Sequence, residues 1–308
     1  MRNLRVFCLA VSILVLAGCE DWDFGGISSD RYREDFHFSY PLNSGASVQV
    51  DNFNGSVEIA GWDKNTVDVD GTKYASSEER MRQIRVDVSS SPGAITIRTT
   101  RPLDHWGNSG ARYVIHVPRH AELTNIVSSN GAIHVDSIDG NAHLKTSNGG
   151  IRATAIRGSV DAVSSNGTLE IADVVGDLLL RTSNGSIKAD VKKGGFDAHT
   201  SNGSITARLM EPDSKPVRLE SSNGHIELTI DAAREVHADT SNSSILVRMP
   251  NSAGATLRAH TSNASITSDF DVAVHGILSK HRLEGTIGSG GPLLDLGTSN
   301  GGIKLVRF

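Results

Sequence analysis

The sequence predicts an all-β protein, a single-domain parallel β-solenoid (a β-helix or roll) with coils of about 18 to 21 residues. Three observations predict this fold. A Thr/Ser-Ser-Asn-Gly tetrapeptide recurs along the chain, apolar and polar residues alternate on both sides of each copy, and the composition suits a thin core. Hydrophobic residues make up 38% of the chain and aromatic residues only 5%, which is low for a thick globular core.

The tetrapeptide sets an internal period. Five copies follow one another at intervals of 18 residues, beginning at Ser128, Thr146, Ser164, Thr182 and Thr200. Later copies follow after 21, 19, 21 and 37 residues and begin at Ser221, Thr240, Thr261 and Thr298. The last interval is long enough to hold a degenerate copy. Ser243 and Ala264 replace the glycine in two copies, which puts the turn type in doubt there but not the fold.

One copy shows the local structure that the repeat predicts. Leu178, Leu180 and Thr182 alternate with polar or exposed residues before the Asn-Gly pair. Ile187 and Val191 belong to a second alternating run after it. A period of two indicates a strand with one buried face. Each unit is therefore strand, Asn-Gly turn, strand and a second turn, and the second turn is often marked by glycine.

Two architectures fit this pattern. Asn-Gly between alternating strands is the strongest short hairpin signal and would give a long antiparallel meander. In a solenoid, each strand instead pairs in parallel with its equivalent in the next coil. A meander would need something to cover its apolar face, and the sequence has no amphipathic helices to do so, which favours the solenoid. Stacked Asn and Ser side chains would then form hydrogen-bonded ladders, and nine or ten coils would form a rod of roughly 45 Å at about 4.8 Å per coil.

The first residues predict export and lipidation. Arg2 and Arg5 precede an apolar run of eleven residues, 6–16, which is too short to span a bilayer but suits a secretory signal. Leu16-Ala17-Gly18-Cys19 resembles the bacterial lipobox, so residues 1–18 are predicted to be the signal peptide and Cys19 the lipidated residue. Residues 19–35 are predicted to be a flexible tether, with an edge strand from Tyr32 as the alternative. The predicted location is the cell envelope, with the lipid as the membrane contact.

Residues 36–308 form the predicted β-solenoid domain, with an irregular part over 36–118 and the repeat coils over 119–308. In the irregular part, segments such as 48–50, 56–59, 94–99 and 111–117 alternate like strands. Ser76-Ser77-Glu78-Glu79 has a capping-box pattern and predicts the start of a short helix.

The order of these motifs resembles a known family. Asn54 to Asp63, then Tyr113 to Pro118, the Ser-Asn-Gly copies and finally Leu283 to Gly291 follow the order typical of the bacterial "putative adhesin" family. The resemblance spans about residues 36 to 308. It implies a β-helical fold at the cell surface or in the periplasm, and it carries no catalytic residue over to this chain.

No motif predicts a catalytic residue, a cofactor or a metal ion. The glycine cluster from Gly285 to Gly291 lacks the Lys-Ser/Thr of a phosphate loop and predicts a turn. The Asn-Gly turns carry neutral Asn and Ser rather than the Asp of calcium-binding rolls. Outward charged residues would stack on one face, where they could bind a metal or form cross-strand pairs, and the latter is favoured. They are Asp197, His199, Arg218, Glu220, His237, Asp239, Arg258 and His260.

The sequence favours a binding or scaffolding role over catalysis. The net charge of −5 with interspersed signs is a poor match for nucleic acid. The leading hypothesis is a non-catalytic envelope lipoprotein whose rigid surface binds a glycan or another envelope protein. The alternatives are a binding module in envelope-stress sensing and, less favoured, a carbohydrate-active β-helix enzyme.

Overall fold

A computed structural model describes residues 31–102, 108–211, 213–232 and 234–308 of the chain, with the backbone alone over 276–278. It contains two long β-sheets that face each other and one short helix, α1 (Glu78–Gln83). The predicted all-β solenoid is confirmed. The signal peptide and Cys19 lie outside the described residues.

Sheet A contains thirteen strands within the described ranges. In spatial order they are β1 (Tyr32–Pro41), β4 (Thr66–Ala75), β7 (Ser109–Pro118), β3 (Val57–Trp62), β9 (Ile133–Ile138), β11 (Ile151–Arg157), β13 (Leu169–Val175), β15 (Ile187–Lys193), β17 (Ile205–Leu209), β19 (Ile226–Ile230), β21 (Ile245–Met249), β27 (Ile303–Arg307) and β23 (Ile266–Ser268).

Sheet B contains fourteen strands of the same described part of the chain. In spatial order they are β24 (Val272–Ser279), β25 (Arg282–Ile287), β22 (Ala255–Thr261), β26 (Leu293–Thr298), β20 (Val236–Thr240), β18 (Val217–Ser221), β16 (Phe196–Thr200), β14 (Leu178–Thr182), β12 (Val160–Val163), β10 (Ala142–Thr146), β8 (Glu122–Ser128), β2 (Ser47–Asn52), β6 (Ala94–Thr100) and β5 (Arg85–Ser91).

The strand pairing distinguishes the solenoid from the meander. Strand β14 pairs in parallel with β12 on one side and β16 on the other, so Leu180 lies opposite Ala162 and Ala198. The strand after the corner, β15, pairs in the same way with β13 and β17. The two strands on either side of an Asn-Gly turn, which we call a corner, therefore belong to different sheets and do not form a hairpin.

The core is the thin layer between the sheets. The inward residues of successive coils, such as Leu178, Leu180, Ile187 and Val191, are at most 2% exposed. A single layer of side chains from each sheet, mostly Val, Ile, Leu and Ala, fills this space, which is why the low aromatic content is sufficient. Burial of such a side chain contributes about 1.5–3 kcal/mol to the free energy of unfolding. Because ordering each residue costs roughly 1.5 kcal/mol, a single coil is not stable alone and depends on its neighbours.

A buried hydroxyl closes each corner. The Oγ1 atom of Thr182 accepts a hydrogen bond from the Gly185 amide at 3.2 Å and donates one to the Gly167 carbonyl of the preceding coil at 3.1 Å. The same pair of bonds recurs in the neighbouring coils. At Ala264, which replaces the glycine, the bond from the corner amide to Thr261 is 3.4 Å. The fold continues through that corner, as predicted.

The C-terminal coils do not stack in sequence order. Strands β26 and β27 lie between β20/β21 and β22/β23, so the last coil is inserted between two earlier ones. The interval between Thr261 and Thr298 is long enough for a degenerate copy, but the structure shows none in the backbone described there. That interval instead holds β24 and β25, which are antiparallel to each other, and β25 also pairs antiparallel with β22. These strands close the end of the rod.

The N-terminal end is built in a similar way. Strand β2 lies between β8 and β6, and β3 lies between β9 and β7, so the first coil is also enclosed. Antiparallel strands β1, β4 and β5 close this end. Strand β1 begins at Tyr32, so the predicted tether over 19–35 is wrong from Tyr32 to Asp35, where the alternative of an edge strand holds. Helix α1 is capped by Ser77, whose side chain accepts from the Arg80 amide, rather than by the predicted capping box from Ser76 to Glu79.

Three strands of sheet A bend at equivalent positions. Ser137, Ala155 and Asp173 have φ values of 60°, 55° and 56°, an uncommon conformation for residues other than glycine. Each residue occurs 18 positions after the previous one, in β9, β11 and β13. The extra residue resembles a β-bulge and brings Ile138 and its equivalents inward, three residues rather than two after the previous core residue.

The corner hydroxyl gives a first prediction. Thr182→Val keeps the shape of the side chain but leaves the buried Gly185 amide and Gly167 carbonyl without their partner. We expect a loss of about 1–3 kcal/mol in the free energy of unfolding, measured by urea denaturation. Ser183→Ala, at the exposed neighbouring position, is the control and should cost no more than about 0.5 kcal/mol. Equal effects of the two changes would show that the hydroxyl does not hold the corner.

Candidate functional site

The exposed side of the corners carries one continuous asparagine ladder. The Nδ2 atom of each asparagine donates to the Oδ1 atom of the asparagine in the neighbouring coil, at 2.7–2.8 Å. The ladder runs through Asn130, Asn148, Asn166, Asn184, Asn202, Asn223, Asn242, Asn300 and Asn263. Stacked Asn side chains are therefore confirmed. The ladder fixes each coil directly above the next and so aligns the outward residues of both sheets.

The predicted charged face lies on the outer side of sheet B, in two columns. One column passes through Asp197, Arg218, His237, Asp295 and Arg258, and the other through His199, Glu220, Asp239, Gly297 and His260. The structure thus places the predicted residues of β16, β18 and β20 side by side. It separates Arg258 and His260 from them by one strand, because β26 is inserted there.

The charged groups of this face form cross-strand pairs. His199 Nδ1 lies 3.5 Å from a carboxylate oxygen of Glu220 on the neighbouring strand, and Arg218 Nε, on the same strand as Glu220, lies 3.9 Å from the other oxygen. His237 Nδ1 lies 3.5 Å from an Asp295 oxygen. Such exposed pairs contribute little to stability, about 0–1 kcal/mol each. The arrangement matches the predicted pattern of cross-strand charge pairs.

Gly297 leaves a gap in the second column, and its neighbours close over it. A Cβ atom at this position would lie 2.0 Å from Asp239 Oδ1 and 2.6 Å from His260 Cε1. Burial raises the pKa of Asp239, and the nearby carboxylates of Asp295 and Glu220 raise it further, while His260 and His237 oppose the shift. The gap therefore holds a carboxylate whose charged form is disfavoured by its surroundings.

A separate cluster joins one histidine to two carboxylates on the N-terminal strands. His37 Nδ1 lies 2.9 Å from Asp70 Oδ1, and His37 Nε2 lies 3.4 Å from Asp68 Oδ1. Among the described residues these three are close enough to hold a metal ion together. Each imidazole nitrogen already faces its own carboxylate, so the three groups contact one another directly. Sequence reasoning missed the cluster, because it depends on the antiparallel register of β1 and β4.

A long groove, which the sequence did not predict, lies on the outer face of sheet A. It consists of three adjoining depressions of about 490, 270 and 490 Å³. Glu58 and Val114 line both the first and the second, and Arg152 and Thr154 line both the second and the third. We call this continuous feature the sheet A groove. It runs from β1 to β19 across ten strands, or about 40 Å at about 4.8 Å per strand.

Small side chains form the floor of the sheet A groove. Ala60, Thr154 and Ala172 occupy outward positions where a long side chain would fill the space. Thr154 and Ala172 directly precede Ala155 and Asp173, where the strands bend. Small residues on the solvent side of successive strands were the available sequence signal. The bend was not readable, because residues other than glycine rarely adopt this conformation.

Charges of both signs line the sheet A groove, and some of them are paired. Glu170 lies between Arg152, whose Nε donates to it at 3.1 Å, and Lys188, whose Nζ lies 3.6 Å away. The hydrogen bond from Arg152 is the main cause that lowers the pKa of Glu170. Arg248 pairs with Glu227 at 3.1 Å. The groove is thus polar but alternates in sign, so it offers no uniform field to a polyanion.

The remaining sequence predictions have the following outcomes. The stretch from Gly285 to Gly291 contains the end of β25 and a turn, and β26 follows rather than a helix, so it is not a phosphate loop. Within the described ranges, no helix has the length and apolar content needed to cross a bilayer. The lipidation of Cys19 stays a prediction.

Comparison with known proteins gives matches in structure only. No protein-family model and no curated protein matches the chain. Solved structures that it resembles include a putative cell adhesion protein from Clostridium sporogenes, with 10% identity, 89% of this chain and 100% of that chain covered, and a TM-score of 0.23. A putative adhesin from Bacteroides fragilis has 12% identity, coverage of 89% and 97%, and a TM-score of 0.38. A putative adhesin from Parabacteroides merdae has 9% identity, coverage of 89% of this chain and 96% of that chain, and a TM-score of 0.35. These names agree with the family that the sequence resembles, and at such similarity no residue role is carried over.

The carboxylate of Asp239, on the outer face of sheet B, gives a prediction for pH dependence. Because its pKa is raised in the folded state, the folded protein binds a proton more tightly than the unfolded chain. The contribution of Asp239 to stability is therefore lost as the pH rises above 3.8, the ordinary pKa of Asp, and through the raised pKa of the folded state. Asp239→Asn should be more stable than the parent at pH 7, and the difference should vanish near pH 3.

Urea unfolding at both pH values measures this difference. Asp190→Asn, which removes an outward carboxylate from the opposite sheet, is the control. An Asp239→Asn protein that is less stable at pH 7 would contradict the assignment.

Proposed function

We propose that the chain is a non-catalytic lipoprotein of the bacterial cell envelope that binds an extended glycan strand along the sheet A groove, and so serves adhesion or scaffolding. In this proposal Cys19 carries the lipid that holds the domain at the membrane. The observation that carries the proposal is the continuity of the groove over ten strands. A feature of this length fits an extended polymer better than a small molecule, whose sites are usually enclosed pockets.

The chemistry of the sheet A groove supports a neutral or zwitterionic polymer. The charges of Arg152, Glu170 and Lys188 are paired with one another, so a polyanion or polycation finds no unpaired row of charges there. Thr154, Thr206 and Thr229 add hydroxyl groups along the same face. Ala60, Ala172 and the 43% exposed Val114 supply small apolar areas. Sugars present hydroxyl edges and apolar C–H faces, which match both kinds of surface.

The regular spacing of the coils supports repeated contacts. Each coil presents its outward residues about 4.8 Å from those of the next, and the asparagine ladder keeps these columns straight. The surface is therefore ordered before a ligand arrives, which reduces the entropy lost on binding. A longer glycan strand should engage more coils, and its affinity should rise until the groove is filled.

This proposal is tested with the full chain purified in detergent. Neutral and zwitterionic polysaccharides, and their oligosaccharides of increasing length, are measured by a glycan array and by calorimetry. We expect an affinity that rises with chain length and no release of shorter products. Ala172→Tyr, which fills the floor of the groove, should weaken binding at least tenfold, because the strand can no longer lie on it. Val163→Tyr places the same side chain on the outer face of sheet B and should leave binding unchanged.

Several results would contradict the proposal. Affinity that does not depend on length, or equal binding by the two tyrosine variants, would place the ligand elsewhere. Release of shorter products would show that the protein is an enzyme. The absence of binding to every polysaccharide would remove glycans as the ligand class.

A further inference from the structure

A second depression lies on the outer face of sheet B. It is beside the second turn of each coil, the one that joins a sheet A strand to the next sheet B strand, as between β13 and β14. It has a volume of about 500 Å³ and extends over β12, β14 and β16. No residue that lines it also lines the sheet A groove. We call it the sheet B pocket.

The floor of the sheet B pocket is apolar, although it lies on a solvent-facing surface. Leu179 points outward from the centre of β14 and is half-buried. Pro216, from the loop before β18, forms part of one wall. In the strand register, Asp161 of β12 lies on one side of Leu179 and Asp197 of β16 lies on the other. An apolar floor is thus bracketed by two carboxylates.

The wall of the sheet B pocket is held in place by polar contacts. Lys215 Nζ donates to both carboxylate oxygens of Asp177 at 2.8 Å, and the Gly195 amide donates to the same group at 2.9 Å. Asp213 accepts from the Gly194 and Lys215 amides, each at 2.9 Å. The hydrogen bond from Lys215 is the main cause that lowers the pKa of Asp177. The positive charge of Lys215 is therefore already matched, and the loop that carries Pro216 is fixed.

Asp197 and one oxygen of Asp161 are left without a partner among the described residues. Asp161 Oδ1 is buried and has no hydrogen-bond partner, while its other oxygen lies 3.6 Å from His143 Nδ1. Asp197 makes no ion pair or hydrogen bond with any described residue. Its neighbour across the strands, Arg218, lies instead 3.9 Å from Glu220. The pocket thus has negative charge to offer on either side of Leu179.

We propose that the sheet B pocket binds a basic side chain, lysine or arginine, of a peptide partner. The aliphatic stem of such a side chain would lie on Leu179 and Pro216, and its charged end would reach Asp161 or Asp197. Long basic side chains combine these two properties, an apolar stem and a cationic tip. An anionic ligand would be repelled by the free carboxylates. The inference is independent of the proposed function, because the two surfaces lie on opposite sheets.

The test uses short peptides with the full chain in detergent. Tetralysine, tetraarginine and tetraglutamate are titrated, and binding is followed by calorimetry at low salt. We expect both basic peptides to bind and the acidic one not to bind. Asp161→Asn combined with Asp197→Asn should weaken binding at least tenfold, because both counter-charges are removed. The matched control, Asp136→Asn combined with Asp190→Asn, removes two carboxylates from sheet A and should have no such effect.

A second variant separates the pocket from general charge attraction. Leu179→Thr keeps every charge but removes the apolar floor. It should also weaken the binding of the basic peptides severalfold. Equal binding by the parent, the Asp161/Asp197 variant and the control would overturn the proposal, as would the absence of binding. Binding that responds to the carboxylates but not to Leu179 would overturn it too, since it would mean charge attraction without a pocket. Ala172→Tyr changes the sheet A groove only and should leave peptide binding intact. Failure of the glycan proposal can therefore be distinguished from failure of the peptide proposal.

Discussion

The close stacking of the corner glycines is the constraint on which the rest of the structure depends. A Cβ atom at Gly167 would lie 1.7 Å from the carbonyl oxygen of Gly149, and one at Gly185 would lie 1.9 Å from that of Gly167. No heavy atom can occupy such a position in these coils, so the backbone of one of these corners rests directly on the backbone of the last. The inward hydroxyl and the outward asparagine then repeat in every coil, because their positions relative to this contact are fixed.

Straight columns on both faces follow from this contact, and the two proposed binding surfaces arise where the repeat is locally altered. On sheet A, the bends at Ala155 and Asp173 follow small outward residues and accompany a long groove. On sheet B, a longer second turn places Pro216 beside the half-buried, outward Leu179 and accompanies a compact pocket. The groove carries ion pairs such as that of Arg152 with Glu170, and the pocket places two carboxylates beside an apolar floor. A protein with both could hold a glycan and a peptide at the same time.

The sequence predicted the solenoid and its inward residues, because the 18-residue period and the alternation leave few other choices. It could not predict the order of the coils at either end. The corners at Asn242, Asn263 and Asn300 have the same chemistry, so a local pattern cannot tell that Asn300 stacks between the other two. On sheet B the predicted charged face included Asp197 and His237, which line the pocket, but not Leu179, since an isolated outward leucine is common.

The most direct test of this account is the stability of Gly185→Ala. Gly93 is the matched control, because no neighbouring atom lies within 4 Å of the position that its Cβ would occupy. The stacking account predicts that Gly185→Ala lowers the free energy of unfolding by about 2 kcal/mol or more, since the corner must separate from the one below it. It also predicts that Gly93→Ala changes stability by no more than about 0.5 kcal/mol. A Gly185→Ala protein as stable as the Gly93→Ala protein would contradict the claim that the corners rest directly on one another.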